Sequence, residues 1–409
     1  MHTSINSCQH PNLSFLTQLR LFFLYALIFT LPFEDWSFLH LIPNTSINKI
    51  LGLLYFSLAL LNANKLFSIN KQSISFLYLI ALWIVFLTTS LINHFSFGHT
   101  LQLSVNFLTL FIFYWLICNE IYIRPKSRNG IFLSFILSIA LVYILIALGI
   151  GTQSPEGSTD ITALNHTRIW FFGLNPNRLG NYGALAFLLT IFILNSRDSY
   201  IKFNKKLLLI LIPGFIYTIG SSGSAGAVIA LSVSLLVYFT FKKENLVKKT
   251  KYYLYGIFIF IISFFSLNKF SYLFSKLQSF VYSGETTGRT KIWLESFNLI
   301  KESPIWGFGV SGAQSQLMQS EAGHYTAHNV FIDVALWSGI IGFIIYILFF
   351  LLILRLAWKY KSRTSDASSI ALLAFLVILL LKSGGGFTSK YIWILLPCAS
   401  ISYSLSNRT

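Results

Sequence analysis

Residues 329–354 read NVFIDVALWSGIIGFIIYILFFLLIL, twenty-six positions with a single formal charge at Asp333. A helix of about 20 apolar residues crosses the hydrocarbon core of a bilayer, so this stretch is predicted to span a membrane. The rest of the chain has the same character. Of its 409 residues, 55% are hydrophobic, 17% aromatic and only 11% charged, whereas an ordinary soluble domain carries about 25% charged residues. Mean hydropathy is +0.68 over the whole length, so the apolar residues cannot all be one core inside a polar shell. The expected class is an all-α polytopic membrane protein.

Eleven further apolar runs raise the expected number of transmembrane helices to about 12. They lie at 15–33, 47–62, 74–92, 101–118, 131–150, 180–195, 207–220, 225–241, 252–268, 369–385 and 388–405. The chain then divides into residues 1–268 with helices 1 to 9 and an outer loop near 151–179, a large periplasmic loop at 269–328, and residues 329–409 with helices 10 to 12. Leu31-Pro32-Phe33-Glu34-Asp35-Trp36 follows the first run and has no small-residue cleavage site, so that run is expected to stay as a span. Cys8, Cys118 and Cys398 fall in a tail or in spans, which implies neither a disulfide nor a cysteine metal site.

The net charge of +17 admits two explanations, a nucleic acid partner or basic cytoplasmic loops. With both termini cytoplasmic, twenty of the thirty basic residues and four of the thirteen acids fall inside. That leaves +16 on the inner face and +1 on the outer. The positive balance is therefore an orientation signal directed at anionic lipid headgroups, and nucleic acid is not an expected partner.

The outer loops hold most of the chemistry-bearing residues. In GRTKIWLESFNLIKE, residues 288–302, helical spacing puts Ile292, Trp293, Phe297 and Ile300 on one face and Lys291, Glu295, Asn298 and Lys301 opposite. Ser303-Pro304 ends the run, and an amphipathic helix on the outer membrane surface is predicted. Arg289 at its N-terminus is out of place for capping, because the macrodipole there favours negative charge; an anionic ligand held by the guanidinium would account for it. The glycines of IWGFGVSG, residues 305–312, suit tight turns and carry only a weak phosphate-loop signal. Glu321, His324 and His328 have a spacing compatible with a metal site. The competing reading makes His328 a base at the mouth of the tenth span, or an interfacial anchor. Asp333 and Lys382 are expected to pair inside the membrane.

His328-Asn329, nine residues, then Gly339-Ile-Ile-Gly342 resembles the signature of the O-antigen ligase and O-antigen polymerase superfamily. The G-R-x-x-x-W pattern at Gly288 to Trp293, the Pro304 to Gly309 stretch, and Asn175-Pro176-Asn177-Arg178 opening the sixth span are similar to that family as well. One position departs from it. Relatives have Ser-Arg-Gly at the outer start of the eighth span, where this chain reads Ser222-Gly223-Ser224-Ala225-Gly226, with Ala225 in the arginine's place.

The resemblance implies a metal-independent, cofactor-free glycosyltransferase of the bacterial inner membrane, serving lipopolysaccharide or capsule biosynthesis. Such an enzyme moves a glycan from undecaprenyl diphosphate to an acceptor sugar hydroxyl, either polymerising repeat units or ligating to lipid A core. It would work beside membrane lipids and a chain-length regulator. Carried onto this chain, His328 and Arg289 are the expected catalytic residues, and Arg178, Arg168, Asn329 and Asn177 bind substrate, with Arg178 or Arg168 standing in for the arginine absent at Ala225. The rival reading is a twelve-span transporter or lipid-linked oligosaccharide flippase. Transporters usually show related halves, and the longest loop here is outer and off-centre.

Overall fold

The computed structural model describes residues 13–36, 46–93, 97–153, 168–196, 204–244, 289–321, 323–382 and 386–400. The expected ninth span at 252–268 and most of the expected outer segment 151–179 lie outside these. Six helices among the described residues are long and apolar enough to cross a membrane. They are α4 (Ser75–Ile92), α5 (Phe97–Ile123), α6 (Ser127–Ala147), α7 (Pro176–Asn195), α8 (Ile212–Ser222, extended backwards by a 3-10 turn Lys205–Leu211) and α12 (Val330–Thr364). Four shorter apolar helices accompany them: α1 (Phe15–Phe29), α2 (Ile47–Leu60), α9 (Ala225–Phe241) and α13 (Ser368–Lys382). Short α3 (Ala63–Leu66) follows α2. Two non-spanning helices, α10 (Arg289–Glu302) and α11 (Val310–Gln319), precede α12.

The last expected span is the one that differs most in shape. Residues 388–400 form a short α14 (Lys390–Leu395) followed by a 3-10 turn Leu396–Cys398. Pro397 lies in that turn and has no N–H to continue an α ladder. The only strands among the described residues are β1 (Thr152–Gln153) and β2 (Trp170–Phe171), paired antiparallel with Thr152 opposite Phe171.

The centre of the bundle is aromatic. Phe387 packs on Phe107 at 4.8 Å, Trp393 at 5.3 Å, Trp337 at 5.4 Å and Phe86 at 5.6 Å between ring centroids. Edge-on ring pairs of this kind gain about 0.5–1.5 kcal/mol beyond the area they bury. Elsewhere small residues let backbones approach. A Cβ on Gly183 of α7 would stand 3.2 Å from the Phe215 carbonyl of α8, and one on Gly180 would overlap Ser222. Leu53, Val105, Ile144, Leu236, Ile344 and Leu351 remain exposed around the outside, an apolar surface suited to lipid contact.

Ion pairs sort the charged residues to two ends. At one end Arg20 donates to Glu120 Oε2 at 3.0 Å, Arg124 joins the same carboxylate at 2.7 Å, and Arg128 approaches Asp366 at 3.6 Å. Glu120 is fully buried, so the two guanidiniums provide the compensation a buried carboxylate needs. At the opposite end Glu34 is shared between Arg178 at 2.9 Å and Lys390 at 3.2 Å, and Asp35 accepts from Arg178 at 3.0 Å. This division places Arg20, Arg124 and Arg128 apart from Arg178 and Lys390, as the alternation of spans requires.

Candidate functional site

α12 begins where its sequence provides a cap. Asn329 is extended (φ −149°), and its side-chain oxygen accepts from the N–H groups of Phe331 at 3.0 Å and Ile332 at 3.4 Å. Asn329 is thus occupied as an N-cap. The residue before it, His328, has φ +54°, the left-handed region that a non-glycine residue adopts only when its surroundings hold it there.

Those surroundings are specific. Ala327, fully buried, donates its N–H to Asp333 Oδ1 at 2.7 Å and accepts at its carbonyl from the Trp293 indole N–H at 2.9 Å. Both backbone polar groups of the residue preceding His328 are fixed, the N–H from within α12 and the carbonyl from α10. Trp293 is one helical turn from Arg289, so the two share a face. The bond that holds the His328 loop therefore also sets the position of Arg289. Asp333 and Lys382 form no ion pair. The carboxylate faces Ala327 within its own helix end, and the expected pairing is replaced by this cap-like contact.

α10 is amphipathic with a face rotated from expectation. Ile292, Ser296 and Leu299 are buried, while Phe297 and Leu294 are exposed. Hydrophobicity alone ranked Phe297 above Ser296. Packing against α11 and α12 selects the stripe that also carries Trp293 inward.

The glycine-rich stretch after α10 has a structural role. α12 is broken at Gly339 (φ 58°, ψ −158°), and the Pro304–Gly309 segment fills the break. Ile340 N–H donates to the Pro304 carbonyl at 2.8 Å, Phe308 N–H to Leu336 at 2.9 Å and Gly309 N–H to Trp337 at 2.9 Å. A Cβ on Gly307 would stand 2.5 Å from the Leu336 carbonyl oxygen, and one on Gly339 would overlap the Ile305 carbonyl. The turn reading of these glycines holds, and their N–H groups at 308 and 309 are spent on α12. Thr89 of α4 adds a bond to the Trp337 carbonyl at 3.1 Å.

Electrostatically, His328 is pushed below the ordinary imidazole value by partial burial, then by the positive charge of Arg289, then by His324. Burial also lowers Arg289 from its usual value. Arg289 has no hydrogen-bond or ion-pair partner among the described residues. Lys382, at the end of α13, lies within electrostatic reach of Arg289, and its Cδ stands 3.7 Å from where a Gly226 Cβ would be, at the start of α9. His324 and His328 rings are 5.6 Å apart between centroids, while Glu321 is engaged by Lys291 at 3.2 Å. Among the described residues no three His, Cys, Asp or Glu side chains converge on a common point.

The other expected residues form two groups. Arg168 donates from Nε to the Ser222 carbonyl at 2.9 Å and from Nη2 to Asn177 Oδ1 at 2.8 Å. It therefore sits on the turn leading to Ala225, with Asn177 holding it there. Arg178 is turned away to Glu34 and Asp35. The sequence reading missed these two acids as its counter-ions, although Glu34-Asp35 directly after a span was the available signal. It also assigned Lys382 to Asp333, and overlooked Trp293 and Asp333 as the pair that fixes the loop.

Fold and site define a multi-pass helical membrane protein whose His-Asn loop is fastened to an arginine-bearing helix. Residues 207–347 match the family model described as O-antigen ligase, a match that supports the O-antigen ligase/polymerase superfamily. Members of the family are glycosyltransferase-type enzymes acting with lipid-linked glycans and acceptors. The match covers Arg289, His328, Asn329, Gly339 and Gly342, and leaves Arg168, Asn177 and Arg178 outside. No curated protein matches the chain.

Proposed function

We propose that this protein is a metal-independent glycosyltransferase of the bacterial inner membrane, working at the periplasmic face with both termini in the cytoplasm. It moves a glycan from undecaprenyl diphosphate to a sugar hydroxyl, as a polymerase of repeat units or a ligase to lipid A core. The observation that supports this most is the placing of Arg289, which has no ion-pair partner among the described residues, beside a His328 whose proton affinity is lowered, the two joined through Trp293 and Ala327.

In this reading the acceptor hydroxyl oxygen attacks the anomeric carbon as the bond from that carbon to the diphosphate oxygen breaks. The diphosphate leaves with the bonding electron pair, and the hydroxyl proton passes to an imidazole nitrogen of His328. Charge accumulating on the leaving oxygen is met by Arg289, with Lys382 as the second cation on that side; fixed donors aimed at developing charge are usually the largest catalytic contribution. Arg168 and Asn177 support the Ser222 to Ala225 turn at the edge of the site. Arg178 braces the outer end through Glu34.

Deletion of the gene and a gel of the surface glycan test the activity. Core carrying one repeat unit marks a lost polymerase, and bare core with long chains accumulating on the carrier marks a lost ligase. An unchanged glycan profile refutes both.

A further inference from the structure

A pocket of about 270 Å³, lined by polar side chains that expose mostly their carbon atoms, lies between α11 and the start of α5, next to the loop that carries His328. His99, Gln314, Ser315, Met318, Gln319 and Tyr325 line it, together with Ser311, and none of these is a Lys, Arg, Asp or Glu. Arg289 and Lys382 are not among these lining residues.

The lining is built for a ligand that both donates and accepts hydrogen bonds. Side-chain amides and hydroxyls do both, and here two amides and two serines converge. They are partly organised already. Ser311 Oγ is 2.9 Å from Thr100 Oγ1, His99 Nε2 donates to Gln314 Oε1 at 3.2 Å, and Gln319 Nε2 donates to Ser315 Oγ at 3.3 Å. With its oxygen occupied by His99, the Gln314 NH₂ group has no partner among the described residues. At the rim, Tyr325 is 64% exposed, a large ring with most of its face uncovered.

We infer that this pocket is the subsite for one uncharged sugar ring of the acceptor glycan. The inference rests on the glycosyltransferase reading above. A sugar ring offers hydroxyls in several directions and an apolar face of C–H groups, which match the amides and hydroxyls on one side and the Tyr325 and Met318 surfaces on the other. A phosphate or a uronate would need a cation, and the described lining residues include no Lys or Arg. An acyl chain would leave the Gln314 NH₂ group unsatisfied. The volume is just under the roughly 300 Å³ at which drug-sized sites begin, which suits one ring and not an oligosaccharide. The assignment to acceptor rests on place: Tyr325 and His328 share the loop between α11 and α12, so a ring on Tyr325 is held three residues along the chain from the proposed base.

The test uses the full-length protein in nanodiscs, with undecaprenyl-diphosphate-linked glycan extracted from the deletion strain as donor. The acceptor is lipid A core or the lipid-linked repeat unit, whichever the wild type uses. Tyr325→Ala, and separately Gln314→Ala with Gln319→Ala, should each raise the acceptor KM about tenfold or more, the scale of one or two lost hydrogen bonds or a lost ring contact, while the donor KM stays put. Tyr325→Phe should recover most of the affinity lost in Tyr325→Ala. Acceptor KM values unchanged in both variants, or a rise in donor KM alone, overturn the subsite while leaving the transferase reading intact. A wild type inactive with either acceptor overturns the transferase reading instead. The pocket is then judged by saturation-transfer NMR with N-acetylglucosamine and galacturonic acid: contact with the neutral sugar, lost in Tyr325→Ala, supports it, and absence of that contact refutes it.

Discussion

The indole N–H of Trp293 donates to the carbonyl of Ala327 at 2.9 Å, tying the helix that carries Arg289 to the residue before His328. Arg289 and Trp293 are separated by one helical turn, and His328 follows Ala327 directly, so a single hydrogen bond relates the cation to the imidazole. Trp293→Phe keeps the ring and removes the N–H. A net hydrogen bond contributes about 0.5–1.5 kcal/mol, so transfer should fall up to about tenfold with membrane abundance unchanged. Wild-type transfer rates in this variant would show that the bond does not position the site.

Arg289 itself should be far less tolerant. In the proposed mechanism Arg289→Ala removes a donor aimed at charge that develops during transfer, a loss worth about 10²–10³ in rate where such donors have been removed. Arg289→Lys keeps the charge and loses the planar fork, so it should also impair transfer. Rates in membranes containing matched amounts of each variant give the comparison, and full activity of Arg289→Ala would remove Arg289 from the chemistry.

The membrane-spanning helical character and the Arg289 helix start were legible in the sequence because each is local, apolar length and a charge at a helix end; Asn329 was expected to bind substrate and instead caps α12. What was not legible depends on distant partners. Phe297 was expected inward, and the buried stripe runs through Ser296 instead, because α11 and α12 set the orientation of α10. Gly339 stood out as part of a family signature; it is the point where α12 breaks to accept the Pro304 carbonyl, a contact thirty-odd residues away along the chain. Arg178 was expected to bind substrate on the strength of its compartment and motif. The two acids that engage it lie more than a hundred residues earlier, and no spacing rule connects them.

That ion-pair cluster separates scaffolding from chemistry. Glu34 is 5% exposed and shared by Arg178 and Lys390. Glu34→Gln leaves both cations short of a counter-charge in a half-buried setting, and breaking a buried pair costs about 3–5 kcal/mol; partial exposure of Arg178 and Lys390 places the expected loss below that range. The variant should lower the detergent-solubilised unfolding temperature while the rate per folded molecule stays within a few fold. A variant of normal stability with abolished transfer would move Arg178 and Glu34 into the catalytic machinery.

The remaining prediction concerns pH. In the proposed mechanism His328 is the base and must be neutral to act, and burial, Arg289 and His324 all hold it below the ordinary imidazole value of 6.5. As pH falls through that lowered value the imidazole takes a proton, and transfer should decline along a single acid limb lying below 6.5. His324→Gln removes one of the positive charges that depress it, so His328 should bind its proton more readily and the limb should move to higher pH. At a pH between the two limbs the variant is then slower than the wild type, and at alkaline pH the two converge. His328→Ala should abolish the limb together with the activity. Rate profiles of wild type and His324→Gln measured across the acid range decide the matter: a limb that stays in place, or shifts to lower pH, would show that the group titrating is not His328.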